Sequence, residues 1–146
     1  MKICHTKQEL RTTLTELRRT GSIGLVPTMG YLHDGHMSLV QHALQENDHT
    51  VASIFVNPTQ FDDLKDLDAY PKTLEDDLEK LACFGEKIAV YAPEVEDLYP
   101  KEAVSEHYDF GELETTMEGG SRKGHFQGVA TIVQKLLKGF MPTRAY

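Results

Sequence analysis

The sequence has few cysteines, no tryptophan and no long apolar run. Its two cysteines, Cys4 and Cys83, lie far apart and form no CxxC or Cys/His spacing, so neither a disulfide framework nor a zinc site is expected. We interpret both as reduced thiols of a cytoplasmic protein. The N-terminal MKICHTKQEL lacks the continuous apolar segment of a signal peptide, and no apolar tract approaches the roughly 20 residues of a membrane-spanning helix.

The chain also lacks an excess of positive charge. Of its 146 residues, 15 are Lys or Arg and 23 are Asp or Glu, which gives a net charge of −8. Because this charge repels both the nucleic-acid backbone and anionic membrane surfaces, we expect neither as a partner. Hydrophobic residues make up 40% of the chain, as is typical of a soluble globular domain long enough to bury its own core.

Three short apolar runs predict strands at Ile23–Val26, Val51–Val56 and Ile88–Ala92. The second run, VASIFV, is apolar at nearly every position, which is typical of a parallel strand covered on both faces. Helical periodicity predicts helices between these runs, over Gly35–Glu46 and Leu74–Phe84. The alternation implies βαβ crossovers and an α/β fold, with an open parallel sheet and helices on both faces.

Two more helices are predicted near the ends of the chain. The first covers Thr6–Arg19, where Thr6 and Glu9 fit a capping box. The last covers Phe126–Lys138 and is expected to stop at Gly139. With no linker or repeat in sight, we interpret residues 1–146 as one domain, which ends where a further strand would begin.

The stretch PTMGYLHDGH, Pro27–His36, follows the first predicted strand. Pro27 is expected to end that strand, and Gly30 to permit a tight turn close to a ligand. His33 and His36 flank the start of the next helix, whose free N–H groups attract anions, and imidazoles can donate hydrogen bonds to phosphate oxygens. The alternative is a surface turn with two incidental histidines. The strand–turn–helix setting favours a ligand site, because open α/β sheets bind ligands beyond the carboxyl ends of their strands.

The second strand leads into another polar segment, SIFVNPTQF, with Asn57 and Gln60 at its end. Amides suit a small polyhydroxy acid, because they donate and accept hydrogen bonds without adding charge. An Asn-Pro turn with a solvated Gln fits the stretch equally well, and the residues alone leave both interpretations open.

Two further segments carry charge. In DLDAYPKTLEDDLEK and the residues before it, a metal site of Asp62, Asp63, Asp66 and Asp68 is a weak alternative to a solvated face, and we expect no protein metal site. The Gly-rich EGGSRKGHFQG, residues 118–128, could close its backbone and cations over phosphates. A flexible connecting loop is equally consistent with that composition.

These motifs together resemble a known family. HDGH resembles the HxGH signature of the class I aminoacyl-tRNA synthetase and nucleotidyltransferase superfamily. The series VPTMGYLHDGHMSLV, SIFVNPTQF, DLDAYPKTLEDDL and EGGSRKGHFQGVATIV is more specific and closely resembles the pantoate–β-alanine ligase family. The resemblance implies a Rossmann-like domain and an ATP-dependent ligase that condenses pantoate with β-alanine. The expected intermediate is pantoyl adenylate, with AMP and pyrophosphate released, Mg²⁺ accompanying ATP, and a homodimer as the full-length assembly.

The resemblance also implies roles for individual residues. ATP is expected to contact Met29, Gly30, Tyr31, Leu32, His33, Asp34, Gly35 and His36. Within this set His36 is the expected proton donor near the phosphates, and His33 supports it. Pantoate and β-alanine are expected to contact Gln60, Asn57, Pro27, Thr28 and Tyr70. Glu118 and Arg122 are assigned to a possible flap.

Family members continue into GEKD-like and SSRN-like stretches and a C-terminal domain, none of which follows Tyr146 here. We therefore expect an N-terminal portion that is inactive or weakly active alone. Two alternatives stay open: another HxGH nucleotidyltransferase, disfavoured because FVNPTQF offers no cation for a phosphorylated acceptor, and a nucleotide-binding module without turnover. Titration with ATP and pantoate, followed by an assay for pantothenate, separates the three.

Overall fold

A computed structural model describes residues 1–114 and 124–146 of the chain. The strands are β1 (Lys2–Cys4), β2 (Ile23–Thr28), β3 (His49–Ile54), β4 (Ile88–Tyr91) and β5 (Arg144–Ala145). The helices are α1 (Lys7–Arg18), α2 (Asp34–Glu46), α3 (Leu64–Ala69), α4 (Leu74–Ala82), α5 (Val95–Leu98) and α6 (His125–Phe140). Short 3₁₀ turns lie at Pro58–Gln60, Gly85–Lys87 and Gly111–Glu114.

The strands of the described residues form one parallel sheet in the order β1-β4-β3-β2-β5. The predicted open parallel α/β sheet is therefore confirmed. The chain advances from β2 through β3 to β4 in one direction, whereas β5 lies on the opposite side of β2. This reversal is a topological switch point, and ligands of open α/β sheets bind beside such a point, beyond the carboxyl ends of the strands.

The sheet is covered on both faces, as the apolar second strand predicts. Successive strand residues alternate between faces, so Leu25 and Val51 belong to one buried cluster while Val26 and Ala52 belong to the other. Helices α1 and α6 cover the first face through Leu10, Leu14, Ile132, Leu136 and Phe140. Helices α2 and α4 cover the second face through Val40, Ala43 and Leu81.

Strand β2 does not end at Pro27, contrary to the prediction, but continues to Thr28. Pro27 is in register with Ser53 of β3. On the other side of β2, β5 pairs only with Gly24 and Leu25. Proline is tolerated here because its missing N–H would face the β5 side of β2, where pairing between the two strands has already ended.

Helix α6 does not stop at Gly139 either. It runs to Phe140 and closes on Met141, which adopts a left-handed conformation with φ 41°. Phe140 is fully buried, with its ring 5.6 Å from that of Tyr91. This packing stabilises the last turn by more than the roughly 1 kcal/mol that a helical glycine costs.

The predicted cap of α1 is confirmed as well. Thr6 and Glu9 form the expected reciprocal capping box at the start of α1, and both cysteines are free thiols. Among the described residues, no helix has both the length and the apolar composition needed to cross a bilayer.

Candidate functional site

The candidate site begins where β2 reaches the carboxyl edge of the sheet. Thr28 is buried, donates its hydroxyl to the carbonyl of Ser53 (2.7 Å) and accepts the N–H of Gly30 (3.2 Å). Gly30 and Tyr31 both have positive φ, 81° and 54°. The predicted glycine-dependent turn is therefore present and leads directly into α2.

The two histidines form the cap of helix α2. His33 is the N-cap, and its Nδ1 accepts the N–H of Gly35 at 3.1 Å. His36 is the third helical residue, and its Nδ1 faces the N–H of His33 at 3.4 Å. The ring centroids lie 4.1 Å apart. The spacing of three residues is thus that of a reciprocal capping box in which imidazoles replace the usual Ser/Thr and Glu.

This arrangement determines what the rings can offer a ligand. A neutral imidazole that accepts through Nδ1 carries its proton on Nε2, so each ring keeps an Nε2–H donor for a group outside the cap. His36 is half-buried, and burial together with the neighbouring charge of His33 lowers its pKa, against a smaller opposing effect of Asp77. His36 is therefore a neutral hydrogen-bond donor at neutral pH.

The turn residues between β2 and the histidines are held by α4. The N–H groups of Tyr31 and Leu32 donate to the carboxylate of Asp77 at 2.8 and 2.7 Å. The ammonium of Lys80 donates to the carbonyl of Leu32 at 2.7 Å. Leu32 is buried in the core, whereas the Tyr31 side chain is 58% exposed. The main chain of these two residues is thus engaged within the protein.

Gln60 is oriented by Asn57, which lies beneath it. Asn57 is 0% exposed, and its Nδ2 donates to Gln60 Oε1 (2.9 Å) and to the carbonyl of Gly128 (3.1 Å). Its Oδ1 accepts the hydroxyls of Thr59 (3.1 Å) and Tyr99 (2.8 Å). Because the Gln60 oxygen is already an acceptor, its amide NH₂ remains available to donate. Asn57, predicted from sequence as a wall of the pantoate pocket, lies behind Gln60 with all four of its hydrogen bonds used.

Gln60 and Tyr70 line the same cavity, of about 440 Å³. Phe61 packs edge-on against Tyr70 with ring centroids 5.7 Å apart. Burial, with a smaller contribution from Asp77, raises the pKa of Tyr70, so its hydroxyl stays protonated. The sequence-predicted pair is therefore brought together at one concave surface with two neutral donors.

Met29 and Gly30 line a second cavity, of about 380 Å³, beyond the ends of β3 and β4. His5, Asp77 and Glu94 also border this cavity. Its lining is mostly apolar. The two cavities share Pro71, so both adjoin the segment that joins α3 to α4.

The remaining predicted residues have simple placements. Pro27 lies in β2, and Asp34 and Gly35 form the exposed first turn of α2. Gly35 is closely fitted, since a Cβ there would come within 2.9 Å of His33 Cε1. Glu118 and Arg122 lie outside the described residues. Across residues 1–114 and 124–146, no three His, Cys, Asp or Glu side chains cluster as metal ligands.

Sequence reasoning missed Asp77 and Tyr99. Asp77 had a visible signal, because it stands at the i+3 position of the apolar series Leu74, Leu78 and Leu81, where a charged side chain faces the core. Tyr99 follows α5 and gave no such signal, since its role depends on a contact with Asn57 far away in the chain.

The chain is similar to pantothenate synthetases across its whole length. The family model described as pantoate-beta-alanine ligase matches residues 2–146. The pantothenate synthetase of Flavobacterium psychrophilum is 56% identical over 86% of the chain and 44% of the relative. That of Bacteroides thetaiotaomicron is 50% identical over 100% of the chain and 51% of the relative. The chain therefore spans about half the length of the curated relatives it matches.

Solved structures agree with this similarity. The pantoate-beta-alanine ligase of Francisella tularensis, crystallised with beta-gamma ATP and beta-alanine, is 38% identical with a TM-score of 0.91. The match covers 100% of this chain and 56% of that one. Pantothenate synthetase from Thermus thermophilus is 44% identical with a TM-score of 0.89, covering 100% of this chain and 51% of its own.

Proposed function

The chain belongs to the pantoate-beta-alanine ligase family, and from that premise we propose that it supplies the ATP and pantoate sites of an enzyme that makes pantothenate. In the first step a pantoate carboxylate oxygen bonds to the α-phosphorus of ATP, the bond to the bridging oxygen breaks, and pyrophosphate leaves. In the second step the uncharged amine of β-alanine attacks the acyl carbon, the amine loses its proton, and AMP departs. The whole of residues 1–146 acts in this proposal as one Rossmann-like, nucleotide-binding domain.

The residues of the α2 cap bind the nucleotide in this proposal. Negative charge builds on the phosphates as pyrophosphate departs, and two fixed Nε2–H donors at a helix N-terminus stabilise that charge. Because its pKa is lowered, His36 is neutral at neutral pH and presents its Nε2–H to the phosphates. It thereby occupies the place that the sequence resemblance assigns to the proton donor. Met29 to Gly35 form the rest of the nucleotide edge.

Gln60 and Tyr70 orient pantoate. The free NH₂ of Gln60 and the protonated Tyr70 hydroxyl suit a hydroxy acid, because both donate hydrogen bonds without a full charge. Alignment of the carboxylate with the α-phosphorus converts a bimolecular encounter into a positioned reaction. Asn57 contributes indirectly: its hydrogen bond to Gln60 Oε1 fixes the Gln60 amide so that its NH₂ faces the cavity. The family resemblance assigns Pro27 and Thr28, at the end of β2, to the acid as well, although the Thr28 hydroxyl is already engaged by Ser53 and Gly30.

One observation carries the proposal: the paired imidazoles close the carboxyl end of β2, beside the switch point of the sheet. In this proposal a Mg²⁺ ion accompanies ATP and is held mainly by phosphate oxygens and water, where it neutralises charge on the triphosphate. The homodimer and a cytoplasmic location rest on the family resemblance, supported for the latter by two free thiols.

Calorimetric titration of the 146-residue chain with ATP and with pantoate tests this function. We expect both ligands to bind, and His36→Ala to weaken ATP binding by about tenfold, equivalent to about 1.4 kcal/mol. His42→Ala is the matched control, because His42 is an exposed histidine on the same helix. Equal ATP affinity in the two variants would contradict the proposed nucleotide site.

An assay for pantothenate then separates a catalytic chain from a binding module. We expect little turnover by the 146-residue chain alone. In a longer enzyme that includes this chain, we expect turnover to depend on His36. Saturable nucleotide binding without pantoate binding would instead favour another HxGH nucleotidyltransferase.

A further inference from the structure

A buried carboxylate lies outside the substrate contacts proposed above. Asp77 of α4 is 0% exposed. Its Oδ2 accepts the N–H of Tyr31 (2.8 Å) and the hydroxyl of Thr73 (3.2 Å), and its Oδ1 accepts the N–H of Leu32 (2.7 Å). Both oxygens are thus directed at the turn between β2 and α2 or at the residue that precedes α4.

The carboxylate occupies a position that packing alone would give to an apolar residue. Leu78 and Leu81 on the same helix pack into the core, and Asp77 interrupts their stripe. Burying a carboxylate is unfavourable unless hydrogen bonds and favourable dipoles replace its water. Here it is stabilised by the three donors and by its place in the first turn of α4, where the helix dipole favours negative charge.

The turn itself needs these acceptors. Gly30 and Tyr31 have φ values of 81° and 54°, and the second is a conformation that residues with a Cβ rarely adopt. In this conformation the consecutive N–H groups of Tyr31 and Leu32 both donate to the carboxylate of Asp77 on α4. A charged acceptor makes stronger hydrogen bonds to such groups than a neutral one. Lys80 completes the hold by donating to the carbonyl of Leu32 at 2.7 Å.

We infer that Asp77, assisted by Lys80, is a positioning residue that holds the Gly30–Leu32 turn in the conformation required for nucleotide binding. It acts through the turn, which carries the N-cap His33 directly after Leu32. A turn fixed in advance presents both imidazoles without an ordering cost when the nucleotide arrives. The inference rests on the proposed function for the identity of the ligand, but the hold on the turn can be measured without any ligand.

The test compares Asp77→Asn with the unsubstituted chain. An asparagine has one acceptor oxygen, so its NH₂ must face one of the two backbone N–H groups and at least one hydrogen bond is lost. Amide hydrogen exchange should become at least about tenfold faster at Tyr31 and Leu32. ATP affinity should fall about tenfold, whereas pantoate affinity should stay the same.

Glu79→Gln is the matched control, since it removes the same charge from an exposed position of the same helix. It should alter neither the exchange rates nor the ATP affinity. Unchanged exchange in Asp77→Asn overturns the hold on the turn. Faster exchange with unchanged ATP affinity overturns the positioning role, as does an equal loss of ATP and pantoate affinity, which indicates general loosening.

If Asp77→Asn does not fold, Lys80→Met provides the same comparison, because Lys80 is exposed and its removal leaves the core unaltered. It should raise exchange at the turn and weaken ATP binding by about twofold to fivefold, and no change in either measurement overturns the inference. Failure of the unsubstituted chain to bind ATP contradicts the proposed function instead, while the exchange rates still decide whether α4 holds the turn.

Discussion

Two glycines of helix α6 should respond in opposite ways to the same substitution. A Cβ added at Gly128 would lie 2.1 Å from the carbonyl oxygen of Thr59 and 2.8 Å from the N of Gln60. A Cβ added at Gly139 would meet nothing within 4 Å. The atoms near Gly128 belong to the backbone of a turn that begins with Pro58, so they cannot rotate away as a flexible side chain could.

The magnitudes follow from these distances. Replacing a helical glycine by alanine gains about 1 kcal/mol, and Gly139→Ala should stabilise the fold by about 0.5–1 kcal/mol because that position is near the helix end. At Gly128 the overlap forces α6 or the turn to shift, which costs about 1–3 kcal/mol. The shift also disturbs the Asn57 hydrogen bond to the Gly128 carbonyl, worth about 1 kcal/mol. Gly128→Ala should therefore destabilise by about 1–3 kcal/mol.

Urea unfolding followed by circular dichroism measures the free energy of unfolding of both variants. Thermal melts give an independent check, because a chain of this size shifts its Tm by about 2–4 °C per kcal/mol. Because the turn at 58–60 carries Gln60, Gly128→Ala should also weaken pantoate binding, whereas Gly139→Ala should not. Stabilisation by both substitutions would refute the close contact between α6 and the turn that carries Gln60.

Three further outcomes are expected. Gln60→Ala should weaken pantoate binding and leave ATP binding unchanged in calorimetry, and an unaltered pantoate affinity would remove Gln60 from the site. Gly35→Ala should displace the ring of His33, since the new Cβ would lie within 3.1 Å of its Nδ1. The ATP affinity should then fall severalfold, with the shift of the ring visible by NMR. The lowered pKa of His36 means that the unfolded chain binds this proton more readily than the folded chain. The free energy of unfolding should therefore fall as pH decreases from about 6.5 to the folded-state pKa. His36→Gln should reduce that dependence in urea titrations at a series of pH values, and an identical profile would contradict the lowered pKa.

The central strands and their helices could be predicted because burial on both faces leaves a continuous apolar signal. That signal marked β2, β3 and β4, and the intervening periodic segments marked α2 and α4. The edge strands β1 and β5 carry no such signal. They have only 3 and 2 residues, and β1 has one buried side chain, that of Cys4. Whether an edge segment forms a strand depends on pairing with a neighbouring strand, and a local sequence pattern carries no information about that neighbour.

For the candidate site, sequence indicated the His33–His36 turn, Gln60 and Asn57, but it indicated neither Asp77 as their support nor the contacts through which Asn57 acts. The function of Asp77 lies in a contact with Tyr31, 46 positions earlier in the chain, and that of Asn57 in a contact with Gly128, 71 positions later. The apolar series of α4 marks position 77 as facing the core, but no local pattern identifies a partner so far away in the chain. The end of α6 could not be predicted for the same reason. The packing of Phe140 against Tyr91, a contact distant in sequence, outweighs the local tendency of Gly139 to end a helix.

The strand order also bears on the order in which the strands can pair during folding. Lys2 is paired with Ala89, and Gly24 with Arg144, whereas the three inner strands are joined one after another by short crossovers. Closing long chain segments is the slow part of folding. Strand β1 therefore has no partner strand until β4 is in place, and we expect both margins of the sheet to form after its middle.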